Sequence, residues 1–548
     1  MTFEDLLPEV GEQGRFQLLQ ALTFVLPIIF LGTHFLIENI TAFVPPHRCW
    51  VRFLDNTSAL LNVSENLNYS SLLKLFIPLD SDGKLESCRR FSRPQWQLLP
   101  PNVTGQNLSH LESEPCVDGW VYNQSIFTSS IVTEWNLVCD SKSLRSLSQM
   151  LFLFGILLGF LIMGYLSDKF GRKRILSLSY FLFAVSSTGA AFAQAVLVYC
   201  CFRFLIGFFM AGIFLCSSSL VMEWTTTQHR SPLAVMISLL VSVGHLFIGF
   251  LSYGIQEWRK LQLIVSAPFF FFLLTNWWLL ESPRWLIVNN KFDDALKMLR
   301  KAAKINGKKD KSLTIEDLKS AMKKELSASQ THNTMLDLVR SPILLRRMLC
   351  MSFTSFSIGI LFYGLTLNLQ ELGYNVKILQ ITLGFSSFLS RCGTIFIMNY
   401  FGRRTITIPC LFFAGLFTLL CTFMPQGILR ATLTMLGINC LVICISCNSV
   451  YHTELLPTIV RNRYKGIVLT IDRMGAMLAP VVSILKHYIP ALPLIIFALL
   501  SITASFAVFF LPETQNKPMP DTIQDLECGH SREEARAEGD PMAKVSQF

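Results

Sequence analysis

Two arginines stand inside long apolar runs of this sequence. Arg391 lies eight residues before Asn399 in the run at 378–399, and Arg473 lies eight residues after Lys465 in the run at 465–486. At 1.5 Å per helical residue, both would lie about 12 Å inside a bilayer. An arginine there is penalised by roughly 2.5 to 3.5 kcal/mol on insertion scales. Two at a similar depth predict a water-filled cavity that attracts anions, although an ion pair or a carbonyl partner would also satisfy either one.

Asp472 directly precedes Arg473 and leaves alternatives open. Neighbours on a helix point about 100° apart, so this carboxylate need not face the cavity. If it does face the cavity, it offsets one positive charge and narrows the range of anions bound. If it pairs instead with Arg391, part of the site becomes a structural clasp.

Aromatic side chains accompany the arginines. Phe356 and Tyr363 are seven residues apart and share a helix face, and Phe388 lies one turn before Arg391. Rings beside a guanidinium suit an anion with a flat hydrophobic body, such as a sulfated steroid or an aryl carboxylate. The chain has 45 phenylalanines, so most of its aromatic faces must contact lipid or neighbouring helices.

The elements that carry these residues are apolar runs of about 20 residues, the length that crosses a bilayer. With 51% hydrophobic residues, the chain is not a soluble globular protein. The formal net charge is +10, but it is concentrated in segments assigned to the cytosol, which argues against nucleic-acid binding. Residues 1–13 carry four acidic side chains and lack the basic start of a cleaved signal peptide, so the N-terminal segment at 1–15 and the first crossing are expected to be retained. Twelve crossings are predicted, near 16–37, 146–166, 175–195, 198–221, 233–253, 260–280, 348–369, 378–399, 405–424, 431–451, 465–486 and 490–511.

A polar segment at 41–144 follows the first crossing. Its four cysteines could form two disulfides, and three pairings are open: Cys49, Cys88, Cys116 and Cys139. It also holds six glycosylation sequons, at Asn56, Asn62, Asn68, Asn102, Asn107 and Asn123. Together these features predict an extracellular, glycosylated, disulfide-bonded domain.

Loop charge sets the orientation. The segment at 282–347 has fifteen Lys/Arg against seven Asp/Glu, whereas 41–144 has eight against ten, so the former is expected inside. It carries two amphipathic patches, at 293–300 and 315–326. Both termini then lie in the cytosol, with six-crossing halves at 16–281 and 348–511. The polar tail at 512–548 ends in Ser546-Gln547-Phe548, which a PDZ domain could bind.

The chain repeats itself with an offset of 231 residues. The shift carries Gly171-Arg172 onto Gly402-Arg403, Glu223 onto Glu454, and Gly244 onto Gly475. It also places Asn399 where the first half has Asp168. Such symmetry indicates a duplicated transporter with its substrate site between the halves. A charge network between helix ends on the inner side is expected from the repeated loops: Asp168, Arg172, Glu223, Arg230, Arg403, Glu454 and Arg461.

The loop Gly164-Tyr-Leu-Ser-Asp-Lys-Phe-Gly-Arg-Lys173 resembles the signature loop of the major facilitator superfamily. Three further stretches and the cysteine-bearing outer loop look like the solute carrier 22 family of organic-ion transporters. They are Glu281-Ser-Pro-Arg-Trp285, Glu454-Leu-Leu-Pro-Thr-Ile-Val-Arg461 and Leu511-Pro-Glu-Thr514. The resemblance covers nearly the whole chain and implies an all-α fold of twelve transmembrane helices in two pseudo-symmetric six-helix halves.

The resemblance also bears on the cargo. In members that handle organic anions, a basic residue occupies the positions matching Arg391 and Arg473. In members that handle cations, a carboxylate occupies the second position. Asn39 matches a cavity-facing position of the family. The chain is therefore expected to be a plasma-membrane carrier of organic anions that works by alternating access, in exchange for a counter-anion.

Two rival functions stay open. The same scaffold could carry cations or zwitterions such as carnitine, with Asp472 and Glu38 as binding carboxylates. Alternatively, a non-transporting membrane protein could bind a partner through its outer loop. The chain has no Walker lysine motif, metal cluster or catalytic triad in its sequence, so neither enzymatic activity nor a cofactor or metal is expected. Arg203 with Gly207 resembles a helix-packing motif rather than a ligand site.

Overall fold

A computed structural model describes residues 11, 14–55, 69–80, 83–95, 112–308, 314–316, 318–320, 342–456 and 458–515. The chain begins its first crossing with helix α1 (Arg15–Leu36), which the short helix α2 (Glu38–Thr41) continues. The chain then enters a polar domain, residues 42–141, before the second crossing starts. We refer to this segment as the outer domain.

The outer domain consists of short elements and two antiparallel two-stranded sheets, β1 with β4 and β2 with β3. Disulfides join Cys49 to Cys116 and Cys88 to Cys139. The end of the molecule that carries them is called the disulfide face below. In chain order the elements are β1 (His47–Cys49), α3 (Arg52–Asp55), α4 (Tyr69–Phe76), β2 (Arg89–Phe91), β3 (Ser113–Pro115), β4 (Trp120–Tyr122) and α5 (Ile131–Trp135).

Of the six predicted glycosylation sites, only Asn123 lies within the described residues. Its side chain is exposed, and its Oδ1 accepts a hydrogen bond from the Ser125 N–H at 2.9 Å. The other five sites, Asn56, Asn62, Asn68, Asn102 and Asn107, lie outside the described residues.

Five further crossings complete the N-terminal half. The last of them is divided between α10 and α11, because Pro268 begins the second piece. The helices are α6 (Lys142–Phe170), α7 (Arg172–Ala191), α8 (Val196–Glu223), α9 (Thr227–Gly254), α10 (Trp258–Ser266) and α11 (Pro268–Thr275).

A polar connection carries two helices, α12 (Pro283–Val288) and α13 (Phe292–Ile305), the second of which covers the predicted amphipathic patch at 293–300. α13 buries an apolar face that includes Leu296 and Leu299. Next to it, Asn306 accepts a hydrogen bond from the Phe16 N–H at 2.8 Å, which ties the connection to the start of α1. Most of the second predicted patch, at 315–326, lies outside the described residues.

The C-terminal half repeats the six crossings. We call the end of the molecule that holds the turns at Gly171 and Gly402 the motif face. The helices are α14 (Pro342–Thr366), α15 (Val376–Tyr400), α16 (Arg403–Phe423), α17 (Ile428–Leu455), α18 (Thr458–Ile484) and α19 (Leu492–Phe509). The C-terminal residues of the proposed PDZ ligand, 546–548, lie outside the described residues.

Eleven helical segments in the described ranges are long and apolar enough to cross a membrane. Helix α7 occupies the remaining crossing by its place in the chain, between α6 and α8. It starts with Arg-Lys-Arg and contains four serines, so its sequence is less apolar than the rest. Its buried face, which includes Ser179 and Ser187, packs inside the bundle.

Glycines set the tightest helix contacts. A Cβ at Gly207 on α8 would lie 2.1 Å from the Phe152 carbonyl oxygen of α6, and one at Gly155 would lie 2.2 Å from the Phe204 carbonyl oxygen. Helices in lipid associate through such small residues because no hydrophobic effect drives them together. The two halves meet where α9 packs on α15 and where α6 packs on α18.

Candidate functional site

Arg473 lies on α18, eleven residues before its end at Ile484, or about 16 Å from the disulfide-face end of that helix. Its Nη1 donates a hydrogen bond to the Tyr363 hydroxyl at 3.1 Å. Its guanidinium lies 6.0 Å from the centroid of the Phe160 ring. Phe160 belongs to α6 of the N-terminal half, so Arg473 projects into the seam between the halves.

Asp472 pairs with its own neighbour. Its Oδ2 lies 3.3 Å from Arg473 Nε. The N–H of that nitrogen does not point at the carboxylate, so the two groups form an ion pair without a hydrogen bond. The alternative in which Asp472 pairs with Arg391 is therefore not the arrangement found here. Both side chains keep about a fifth of their surface exposed, 21% and 22%, so this pair is not sealed from solvent.

Close helix packing fixes the position of this pair. A Cβ at Gly359 would lie 2.3 Å from the Asp472 carbonyl oxygen, and one at Gly475 would lie 2.3 Å from the Phe356 carbonyl oxygen. Helices α14 and α18 therefore touch backbone to backbone on either side of Arg473. Within this contact, Arg473 bonds Tyr363, which lies on α14 one turn beyond Gly359 towards the disulfide face.

Arg391 has a different environment. It lies on α15, nine residues before Tyr400, about 14 Å from the motif-face end, and only 7% of its surface is exposed. Its Nη1 donates to the Ser238 carbonyl oxygen of α9 at 2.7 Å, while its Nε has no hydrogen-bond partner. No acidic side chain of the described residues forms an ion pair with it. A buried positive charge thus stands without a counter-ion, at the seam between the halves.

The helices around Arg391 also approach closely. A Cβ at Gly384 would lie 2.4 Å from the Leu246 backbone nitrogen, which brings α15 against α9. His245 on α9 is buried beside Arg391, and its Nε2 has no hydrogen-bond partner. Two side-chain nitrogens that make no hydrogen bond within the described residues, Arg391 Nε and His245 Nε2, therefore belong to neighbouring side chains here.

A small apolar pocket, with room for little more than one water molecule, adjoins this region on the N-terminal side. It lies between α1, α8 and α9, towards the motif face. Ile237 and Leu240 of α9 line it, and they flank Ser238, whose carbonyl oxygen holds Arg391. The other lining residues include Phe24, Ile28, Val221 and Met236. α9 thus borders this pocket and also contacts the Arg391 guanidinium through the Ser238 carbonyl oxygen.

The predicted aromatic residues differ in their placement. Tyr363 is buried and bonds Arg473, as described above. Phe356 and Phe388 are partly buried, and within the described part of the chain neither ring stacks on Arg391 or Arg473. The ring that does face Arg473 is Phe160. No sequence signal connects α6 to α18, so this residue could be identified only from the packing of the two halves.

Asn39 closes the disulfide face instead of facing an arginine. Its Nδ2 donates to the Thr366 carbonyl oxygen at 2.8 Å and to Gln380 Oε1 at 3.2 Å. Close by, the Val44 N–H donates to Gln370 Oε1 at 3.1 Å. Each of these bonds joins the N-terminal half to the C-terminal half, so the structure has its disulfide face shut.

The repeated loops at the motif face form matching ion pairs. Arg172 lies 2.9 Å from Asp168 and 3.2 Å from Glu223, and Arg403 lies 3.1 Å from Glu454. Each pair joins helix ends within one half rather than linking the two halves. The side chains of Arg230 and Arg461 lie outside the described residues.

A second repeated feature was not predicted from the sequence. Glu281 accepts the Lys173 N–H at 3.1 Å, and Glu513 accepts the Arg403 N–H at 2.8 Å, so each caps the helix that follows a motif loop. Burial raises the pKa of Glu281. Burial also acts on Glu513, but several backbone N–H groups outweigh it and hold the pKa of that carboxyl below its usual value. The two glutamates follow equivalent crossings, but the 231-residue offset carries Glu281 onto Pro512, one residue before Glu513, so the repeat did not reveal the match.

The family model described as "Sugar (and other) transporter" matches residues 104–524. Solute carrier family 22 member 11 of Homo sapiens is 44% identical, with 100% of this chain and 99% of the relative covered. Steroid transmembrane transporter SLC22A24 of Homo sapiens is 45% identical over 100% of both chains. Solute carrier family 22 member 12 of Homo sapiens is 42% identical over 96% of both.

Among solved structures, the partially occluded inward open conformation of the xylose transporter XylE from E. coli matches with a TM-score of 0.58. That match has 17% identity and covers 92% of this chain and 99% of the other. The inward open conformation of the same transporter matches with a TM-score of 0.57, at 19% identity, over 71% of this chain and 90% of the other. At this identity the likeness shows the fold alone, and the prediction of two six-helix halves is confirmed.

Proposed function

The chain belongs to solute carrier family 22 of the major facilitator superfamily, and we propose that it carries organic anions across the plasma membrane. It is a multi-pass membrane transporter and not an enzyme. The single observation that carries the choice of cargo is Arg391, which is buried at the seam between the halves without a carboxylate partner. An unpaired charge at this depth is costly unless an anion visits it.

The cargo is an anion with a flat apolar body. Its charged group would approach Arg391, and its apolar body would lie along the seam between the halves. Tyr363 and Phe160, beside Arg473, offer aromatic surfaces in the same seam. Sulfated steroids and aryl carboxylates have this combination of one charge and a rigid apolar frame. SLC22A24, one of the relatives, is named a steroid transmembrane transporter, which fits this class.

Transport proceeds by alternating access, with exchange for a counter-anion. The shut disulfide face is one of the two end states, in which Asn39 bonds Thr366 and Gln380 across the seam. Rocking of the halves would break these bonds and open that face. The charge network at the motif face, with Arg172 and Arg403 at its centre, holds the helix ends of each half together, so that each half moves as a unit without these pairs touching the cargo.

The disulfide face is extracellular and both termini are cytosolic. Disulfides persist in oxidising surroundings, and the exposed Asn123 is a predicted glycosylation site on the same face. The basic connection at 282–347 then lies in the cytosol, as loop charge predicts. A PDZ domain binding the C-terminal Phe548 would act on this side.

The cation alternative is disfavoured by the two carboxylates it requires. Asp472 is paired with Arg473, and Glu38 bonds Arg203 at 2.6 Å. Neither offers a free negative charge to a cation. The partner-binding alternative does not explain why Arg391 is buried without an acidic partner among the described residues.

Uptake into expressing cells separates the three functions. Labelled estrone sulfate and labelled tetraethylammonium would be offered in parallel, with surface biotinylation to normalise both. Uptake of estrone sulfate alone is expected. Uptake of tetraethylammonium alone would overturn the anion assignment, and uptake of neither would favour the partner-binding alternative.

A further inference from the structure

Lys377 lies where the outer domain, α9 and α15 meet on the disulfide face. It belongs to the first turn of α15, and only 6% of its surface is exposed. Its Nζ lies 4.7 Å from the centroid of the Phe127 ring and 5.6 Å from the centroid of the Tyr253 ring. A cation within about 6 Å of a ring centroid is attracted by the ring. Among the described residues, this ammonium has neither a carboxylate partner nor a hydrogen-bond acceptor.

The two rings belong to the N-terminal half, whereas Lys377 belongs to the C-terminal half. Tyr253 lies on α9. Phe127 lies in the outer domain, which is attached to α10 through Glu134, since that carboxylate accepts the Trp258 Nε1–H at 2.9 Å. The contact between the ammonium and the rings therefore crosses the seam, and it must separate when the disulfide face opens.

The charge of Lys377 does not stabilise the helix that carries it. The first turn of a helix is unfavourable for a cation, because the helix dipole is positive at that end. The start of α15 already has a cap, since Asn375 Oδ1 accepts the Lys377 N–H at 3.0 Å. The ammonium is therefore not needed for the helix to begin here.

Lys377 and Arg391 lie on the same face of α15. Buried polar residues follow one another along this face at intervals of three, seven and four residues, which is helical spacing: Lys377, Gln380, Ser387 and Arg391. Gln380 and Arg391 donate to carbonyl oxygens of α9 at 3.4 and 2.7 Å, so this stripe faces the seam. The two cations are about 21 Å apart along the helix. Lys377 thus lies at the outer end of a stripe that leads to Arg391.

We propose that Lys377 binds the anionic group of the cargo at the disulfide face, and that Phe127 and Tyr253 hold its ammonium while that face is shut. This inference rests on the proposed function, since it assumes that organic anions cross the seam. When the halves rock apart, the two rings leave with the N-terminal half and Lys377 stays on α15. The rings hold the ammonium without neutralising it, so no carboxylate has to be displaced before an anion binds.

The first test removes the charge. Estrone sulfate influx would be measured over a range of concentrations for Lys377→Gln in the full chain, normalised by surface biotinylation. The influx KM is expected to rise about fivefold, the effect of losing one solvated charge pair. Lys377→Arg keeps the charge and should stay near the wild-type value. Lys84→Gln, at an exposed lysine of the outer domain, is a second control with wild-type values expected. An unchanged or lower influx KM in Lys377→Gln would overturn the proposal.

A second variant separates anion binding from a simple latch. Tyr253→Leu removes one ring and keeps the cation, so its influx KM should not exceed that of the wild type. If the contact only held the face shut, Lys377→Gln and Tyr253→Leu would both weaken it and change the influx KM in the same direction. Equal changes in the two variants would therefore contradict a role in binding the cargo.

Lys377→Cys keeps the proposal testable if Lys377→Gln does not reach the surface. Aminoethyl methanethiosulfonate applied from outside would restore a positive charge at this position, and sulfonatoethyl methanethiosulfonate would add a negative one. The influx KM is expected to be lower after the first reagent than after the second. The wild-type chain treated in the same way controls for its own cysteines, such as the exposed Cys201. Equal KM values after both reagents would overturn the proposal, whereas absence of estrone sulfate uptake by the untreated wild type would contradict the proposed function.

Discussion

The two halves of the molecule bury charge in opposite ways. In the N-terminal half, Glu38 and Arg203 are 1% and 0% exposed and bond each other at 2.6 Å. The Ser148 hydroxyl donates to the second oxygen of Glu38, and the Arg203 guanidinium lies 4.3 Å from the Phe152 ring centroid. In the C-terminal half, Arg391 is almost as buried, but among the described residues it has only a carbonyl oxygen for a partner.

The difference separates structural charge from functional charge. Glu38 joins the first crossing to α6 and α8, and its counter-ion is built into the fold. Arg391 gains no such compensation from the described residues, and we propose that the anionic cargo supplies it. Arg473 is intermediate, because Asp472 neutralises it while a fifth of its surface stays open to the seam.

Breaking the N-terminal pair should give the largest effect. Glu38→Gln leaves Arg203 buried without its counter-ion, which is expected to cost about 3 to 5 kcal/mol of stability. The measurement is the yield and thermal unfolding of the purified protein. The double variant Glu38→Gln with Arg203→Met should recover most of the loss, since neither charge is then left alone. A double variant as unstable as the single one would contradict a structural ion pair.

Reversing the charge at Arg473 should strongly reduce transport while leaving folding intact. Arg473→Asp places a second carboxylate beside Asp472 and removes the donor to Tyr363. Estrone sulfate uptake is expected to fall by about 10- to 100-fold, as for loss of a charged hydrogen bond. Surface biotinylation should match the wild type. Normal uptake by this variant would show that Arg473 does not serve the cargo.

Removing the neighbouring carboxylate should shift selectivity by a smaller amount. Asp472→Asn leaves both arginines uncompensated, so the seam should accept dianions better. Uptake of glutarate relative to estrone sulfate is expected to rise about fivefold, the effect of roughly 1 kcal/mol at a partly exposed pair. An unchanged ratio would show that Asp472 does not tune the charge of the site.

Glu281 and Glu513, the helix caps at the motif face, should give the smallest effects. Their contributions to the stability of the fold should change in opposite directions with pH. Glu513 has a lowered pKa, so its ionised form stabilises the fold at pH 7, and that stability is lost as pH falls through its folded pKa. Glu281 has a raised pKa, so the fold gains stability as pH falls through that value. At pH 7, Glu513→Gln should cost about 0.5 to 2 kcal/mol, as for loss of a cap.

The comparison that checks the caps is thermal unfolding at pH 7 and at mildly acid pH. The stability difference between wild type and Glu513→Gln should shrink as pH falls. The difference between wild type and Glu281→Gln should grow in favour of the wild type. The same pH response in both variants would contradict the assignment.

Much of this architecture could be predicted because it is local or repeated. Apolar runs give the crossings directly, and the 231-residue offset gives the symmetry of Arg172 and Arg403 with their glutamates. What could not be predicted depends on packing between distant helices. Phe160 reaches Arg473 only because α6 meets α18, and Asn39 bonds Thr366 only because the disulfide face is shut.

The pairing of Asp472 with Arg473 could not be predicted from their spacing on the helix either. Adjacent residues on a helix diverge by about 100°, which suggests that they do not interact. The long side chain of Arg473 nevertheless brings its Nε to 3.3 Å from Asp472 Oδ2, because Gly359 and Gly475 bring α14 and α18 together around both residues. Sequence spacing describes where side chains leave the helix and not where their ends lie.

The most direct test of the account is Arg391→Met, measured for both transport and stability. An unpaired buried charge that serves only the cargo should be dispensable for folding. We expect estrone sulfate uptake at background and a thermal unfolding midpoint, without substrate, equal to or above that of the wild type. A midpoint several degrees lower together with retained uptake would show that Arg391 is structural and would contradict the account.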